Sequence, residues 1–112
     1  MATSATVGVW IVADIPFSFE VGGKTLPAGS YRIVENTEQH ALVIQNRKTN
    51  ESVISNYLTR LGMRSPSDGQ VIFDVAGSRQ YLSEVYIPGI DGFLIQSTSE
   101  AHTHLTIRGQ SQ

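Results

Sequence analysis

Two histidines one residue apart, His102-Thr103-His104, carry the most distinctive chemistry in this chain. Along an extended strand, side chains two apart point to the same face, so both imidazoles could reach one metal ion. Glu100 has the same parity and would complete a set of two imidazoles and one carboxylate, and His40 is the one other histidine. The pattern also describes an ordinary strand with a wet face. Glu100, His102, His104, Thr106 and Arg108 fall on one side, and Thr103, Leu105 and Ile107 on the other. A barrel-type metal motif would place a glutamate a few residues after the second histidine, where this chain has Ile107-Arg108. The solvated strand face is the default, and a metal site on His102, His104 and Glu100 is the alternative.

Carboxylates come next. Glu20, Asp74 and Glu84 lie within strand-like stretches, and two facing carboxylates with displaced pKa values could exchange protons with a substrate. Alternation sets Glu20 and Asp74 opposite the apolar Phe19 and Phe73, which predicts that both face water. Tyr81, Val85 and Ile87 suggest an inward face that excludes Glu84. No Gly-x-Ser-x-Gly elbow is present. Gly22-Gly23 lacks the Lys-Ser/Thr and helix of a phosphate loop. Asn50-Glu51-Ser52 is formally a glycosylation sequon and is discounted in a bacterial-looking chain. No residue is assigned a catalytic role and no cofactor is implied. Most aromatics sit at inward strand positions and read as core. Trp10, Tyr57 and Tyr86, with Glu84, are the candidates for a pocket mouth or an interface, because Tyr and Trp join apolar area to a hydrogen-bond handle.

The elements that would position these groups are strands. Phe17-Ser18-Phe19-Glu20-Val21 alternates cleanly, and Gly22-Gly23 follows as a tight hairpin requires. Val7–Ala13 precedes it and Pro16 interrupts the run. Tyr31–Glu35, Ala41–Gln45, Ser52–Leu61, Val71–Val75, Tyr81–Ile87, Phe93–Gln96 and His102–Arg108 are further strands, with polar or Gly/Pro turns between them. No segment holds a 3.6-residue apolar period. Residues 50–61 come nearest to a helix, and their Val, Ile, Thr, Asn and Ser content opposes one. About eight short strands at regular spacing predict a single antiparallel domain over residues 1–112, a β-barrel with a β-sandwich as the alternative, and a frayed segment 1–6.

Composition narrows the partners. The 112 residues are 40% hydrophobic and 16% charged, suited to one packed domain rather than a solvated tail. Net charge is -2 and the eight basic residues are scattered, with Arg47-Lys48 the one adjacent pair. Nucleic acid needs a concentrated positive field and is not expected as a partner. With no cysteine, disulfides, thiol catalysis and Cys-based zinc sites are excluded. The run Val7–Ala13 is too short to span a bilayer, and Lys24 is the first basic residue, so no leader is expected in the sequence as written. The chain reads as soluble, either cytoplasmic or a mature form whose leader was removed, secreted or periplasmic.

The stretch Ile15-Pro16-Phe17-Ser18-Phe19-Glu20-Val21-Gly22-Gly23-Lys24-Thr25-Leu26-Pro27-Ala28-Gly29-Ser30-Tyr31 resembles the opening of small β proteins abundant in acidobacterial genomes, with their Ile-Pro-Phe-x-Phe-x-Val-Gly-x-Lys-x-Leu-Pro-Ala-Gly-x-Tyr pattern. Gln80-Tyr81-Leu82-Ser83-Glu84-Val85 is similar to a second segment of that group. The resemblance implies a β fold and an export context, and no activity.

These observations favour a non-enzymatic binding or protein-interaction module. It would self-associate, or add a partner's peptide strand, through edges that a short chain leaves open. A barrel enclosing an apolar cavity for a small ligand, bound or isomerised, is the second expectation. A metal protein on His102 and His104 is the third.

Overall fold

A computed structural model describes residues 10–62, 69–96 and 101–111. The expected turns within 63–68, and Glu100 with the residues before it from Ser97, lie outside this set. Among the described residues there are eleven strands and no helix: β1 Trp10–Ile15, β2 Phe19–Val21, β3 Lys24–Leu26, β4 Gly29–Asn36, β5 Ala41–Asn46, β6 Ser52–Asn56, β7 Thr59–Leu61, β8 Gly69–Ala76, β9 Arg79–Tyr86, β10 Gly92–Leu94 and β11 Thr103–Ser111. Among the described residues no helix is long and apolar enough to cross a membrane.

The strands form two sheets that share one interior. In the first, β11, β1, β4, β5 and β6 lie side by side in that order. In the second the order is β3, β2, β9, β8, β11, with β10 also on β9 and β7 on β10. β11 serves both sheets: Thr103–Gly109 run along β8, and Gln110 and Ser111 pair with β1. At that crossing a side chain at Gly69 would stand 2.7 Å from Ile11 Cγ2, so the absence of one lets the sheets meet over Ile11.

The all-β expectation holds, and the closed barrel does not. The path of paired strands ends at β3 on one side and β6 on the other, and these two do not pair. Pairing is also not purely antiparallel, because β2 meets β9 in parallel at Glu20 and Tyr81. Ser52–Leu61 is two strands rather than one. Tyr57 and Leu58 break it, and the chain there leaves the first sheet (β6 on β5) for the second (β7 on β10). The hairpin at Gly22-Gly23 forms as expected, with φ of 60° and 78°, the left-handed pair such a turn needs.

The core lies between the sheets. Phe19 of β2 meets Tyr31 of β4 across the layers, ring centroids 5.2 Å apart and edge to face, and Phe73 of β8 stands 5.5 Å from Phe19. Phe17 closes on Phe73 at 4.9 Å. Ile11, Ile33, Ile44, Leu82, Val85 and Phe93 fill the remainder and are all buried. The grooves described below are open to solvent.

Candidate functional site

The outward face of the second sheet gathers most of the polar candidates. β8 turns Val71 and Phe73 inward, so Gln70, Ile72 and Asp74 point outward. In the β8–β11 ladder Ile72 pairs with Thr106 and Asp74 with His104. Directly opposed residues of an antiparallel pair project from the same face, so the carboxylate and the imidazole meet.

Asp74 differs from expectation. It is on the outward face, yet its side chain is only 2% exposed. His104 Nδ1 stands 3.0 Å from Asp74 Oδ1 and His102 Nε2 stands 3.8 Å from the same oxygen. The histidine rings pack edge to face, centroids 4.9 Å apart. The exposure of their side chains is 23% for His102 and 59% for His104, so they cover the aspartate while remaining open to solvent. Apart from these two imidazole nitrogens, no described group donates to Asp74 Oδ1. The three residues place one ligating atom each within 4.8 Å of one another. The two histidines thus share a face as expected, and the described carboxylate beside them is Asp74; Glu100 lies outside the described residues.

A shallow groove of about 190 Å³ adjoins this cluster, lined by Ile72, Glu84, His104 and Thr106. Glu84 is outward, next to the inward Val85, and on its other side the β8–β9 register shifts between Ile72 and Phe73. Leu82 opposite Phe73 is inward, Ser83 takes up the extra position, and Val85 is inward again. Tyr81 consequently leaves the inward face that alternation from Val85 predicts and shares the outward one with Arg79, whose guanidinium lies 5.1 Å from its ring. Tyr86 donates its hydroxyl proton to Glu84 Oε1 at 2.8 Å. Its ring covers Gly92, where an added Cβ would come within 2.4 Å of it. Glu84 and Tyr86 are therefore brought together.

No protein-family model, curated protein or solved structure matches this chain. Its site is read from its own geometry.

Trp10 and Tyr57 belong neither to the histidine cluster nor to the groove beside it. Trp10 is half-buried on the outward face of the first sheet, with the Arg32 guanidinium 5.3 Å above its ring. Tyr57 sits at the corner between β6 and β7. Its ring packs on Phe93 at 4.9 Å and its hydroxyl donates to Glu35 at 3.0 Å. Arg60 binds the same Glu35 carboxylate and also Asp91, at 2.9 Å. The hydrogen bond to Asp91 and the charge of Glu35 raise the Arg60 pKa further. Burial first, then Glu35, raises that of the Tyr57 hydroxyl. This network ties the two sheets at their corner through Tyr57. Glu20 is likewise structural: Arg79 clasps both its oxygens, at 2.8 and 2.9 Å, and that pairing lowers its pKa.

A second groove, of about 370 Å³, was not foreseen from the sequence. It runs between the edge strands β3 and β6, which do not pair with each other, and Lys24, Leu26, Pro27, Tyr31, Glu51 and Val53 are among its walls. At the other end of this seam the Gly22 turn packs against β6, where a Cβ would be 3.2 Å from Val53 Cγ1 and 3.7 Å from the carbonyl oxygen of Ile54. Alternation reveals which face a residue takes, but not which strands stay unpaired, so no signal in the sequence locates this groove.

Proposed function

We propose that this chain is a non-enzymatic protein-interaction module, an open β-sandwich that associates with a second copy of itself along β6. One observation carries the reading: the edge strand β6 and the corner after it hold the most exposed large apolar residues described, Ile54 at 54% and Leu58 at 67%. The hydrogen bonds from Asn46 N to Glu51 O and from Tyr57 N to His40 O set the ladder's alternation. The peptide groups of Ser52, Ile54 and Asn56 therefore point away from β5. Natural edges are usually blunted by lysine or proline, and β6 contains neither.

A second copy is favoured by self-complementarity. Trp10 pairs with Val34, Val34 with Val43 and Val43 with Ile54, so an apolar row crosses the first sheet and ends on this edge. Ile54 is the middle residue of β6. An antiparallel two-fold pairing centred there continues one row into the other. The second reading, an extended peptide or small ligand held in the β3/β6 groove, is favoured by the open walls of that groove. On this proposal the chain keeps company with the exported β proteins that its Ile15–Tyr31 segment resembles.

Sedimentation velocity across micromolar concentrations tests self-association. The unsubstituted chain is expected to shift from monomer to dimer, and Ile54→Lys to remain monomeric with an unchanged circular dichroism spectrum. A monomer throughout for the unsubstituted chain overturns the proposal.

A further inference from the structure

The sheet face remote from β6 supports a second kind of binding. We infer that Asp74, His102 and His104 bind one divalent transition-metal ion. The inference uses none of the residues assigned to self-association, so each stands or fails alone.

Convergence is the first support. Metal–ligand bonds to imidazole nitrogen and carboxylate oxygen are about 2.0–2.2 Å, so neighbouring ligand atoms around one ion lie about 3 Å apart. Asp74 Oδ1 is 3.0 Å from His104 Nδ1 and 3.8 Å from His102 Nε2. Small side-chain rotations bring all three into a first coordination sphere. Two of the three are on directly opposed positions of a ladder whose central strand, β8, is paired on both sides, so the sheet holds the donors in place.

The second support is the burial of the carboxylate. Asp74 is almost wholly buried, and apart from the two imidazole nitrogens no described group donates to its Oδ1. A buried carboxylate oxygen needs a donating or cationic partner. A cation held between that oxygen and the two imidazoles supplies one. Both imidazoles flank it from the solvent side, which gives an ion a path in.

The donor set chooses the class of ion. Two imidazoles and one carboxylate suit zinc, iron, cobalt or nickel, whereas magnesium and calcium prefer oxygen alone. Three protein ligands leave a coordination position open. His104 is also a wall of the groove holding Glu84, so a molecule lying there would sit beside the ion.

The test uses the full chain without a histidine tag, stripped with chelator and titrated with zinc or cobalt by calorimetry, and with magnesium and calcium in parallel. One saturable zinc or cobalt site per chain is expected, with no comparable uptake of the other two. His104→Ala and Asp74→Asn should each weaken zinc binding more than tenfold, beyond about the least that losing an outer-shell partner costs. His104 is exposed, so its replacement leaves the core intact and decides the matter even if Asp74→Asn does not fold. Absence of saturable zinc and cobalt binding overturns the inference. So does an affinity unchanged in His104→Ala, or calcium binding as tightly as zinc.

Discussion

Tyr57 donates its hydroxyl proton to Glu35 across 22 residues of sequence, at 3.0 Å, and so joins the corner after β6 to β4. Arg60 completes the junction from β7. Removing only the hydroxyl, in Tyr57→Phe, leaves the ring on Phe93 and takes one partner from Glu35. We expect a loss of about 1 kcal/mol, read as a lower urea midpoint with an unchanged slope.

The same hydroxyl predicts an alkaline effect. Burial and Glu35 raise its pKa, so the folded state holds this proton more tightly than the unfolded one. The resulting stability is present in full below the ordinary tyrosine value of about 10 and is lost as pH rises through the higher folded value. Thermal midpoints of the unsubstituted chain should therefore fall more steeply above that value than those of Tyr57→Phe. Parallel curves would refute this.

Glu20 and Arg79 give the opposite sign. Their pairing lowers the Glu20 pKa, so its contribution is present above the ordinary glutamate value of about 4.3 and disappears as pH falls through the folded value. Glu20→Gln should lose stability at neutral pH and show a shallower decline in acid. Because this clasp spans the parallel β2–β9 contact, hydrogen exchange in β2 should quicken as well.

These relationships separate what the sequence could reveal from what it could not. Alternation placed Phe19 and Val21 in the core, and the glycine pair after them announced the hairpin. Ser52–Leu61 looked like one strand because no glycine or proline marks the corner at Tyr57 and Leu58. The bend is imposed by what the corner packs on, Phe93 and Glu35, which are distant in sequence. Parity also failed across Ser83, because a bulge inserts one residue and exchanges the faces on either side. The pairing of His102 with His104 on one face was legible from spacing. The burial of Asp74 beside them was not, since periodicity assigns a face without naming the neighbouring strand. Barrel against open sheets turned on whether β3 reaches β6, a matter of backbone path that leaves no mark on hydrophobic pattern.

The crossing of β11 between sheets yields a packing prediction. A methyl group at Gly69 would lie 2.7 Å from Ile11 Cγ2, below any ordinary contact. Gly69→Ala should cost about 1–3 kcal/mol by overpacking. Ile11→Ala alone should cost about 2–5 kcal/mol, because it opens a cavity in the core. The double substitution should cost less than the two added together, since the new methyl occupies space that the isoleucine vacates. Simple additivity in a denaturant-based double-mutant cycle would show that the sheets do not meet there.

Asp74→Asn separates the demands of folding from those of binding. In chelator, the native carboxylate is a buried charge faced only by the two imidazoles, whereas an amide carries no charge to desolvate. The substituted chain should be more stable than the original by about 1 kcal/mol under those conditions. Adding zinc should reverse the order, since only the carboxylate gains an ion as its partner. Thermal midpoints measured with chelator and with zinc would reveal the crossing. If the original chain were the more stable in chelator, the aspartate would owe its place to the fold rather than to a ligand.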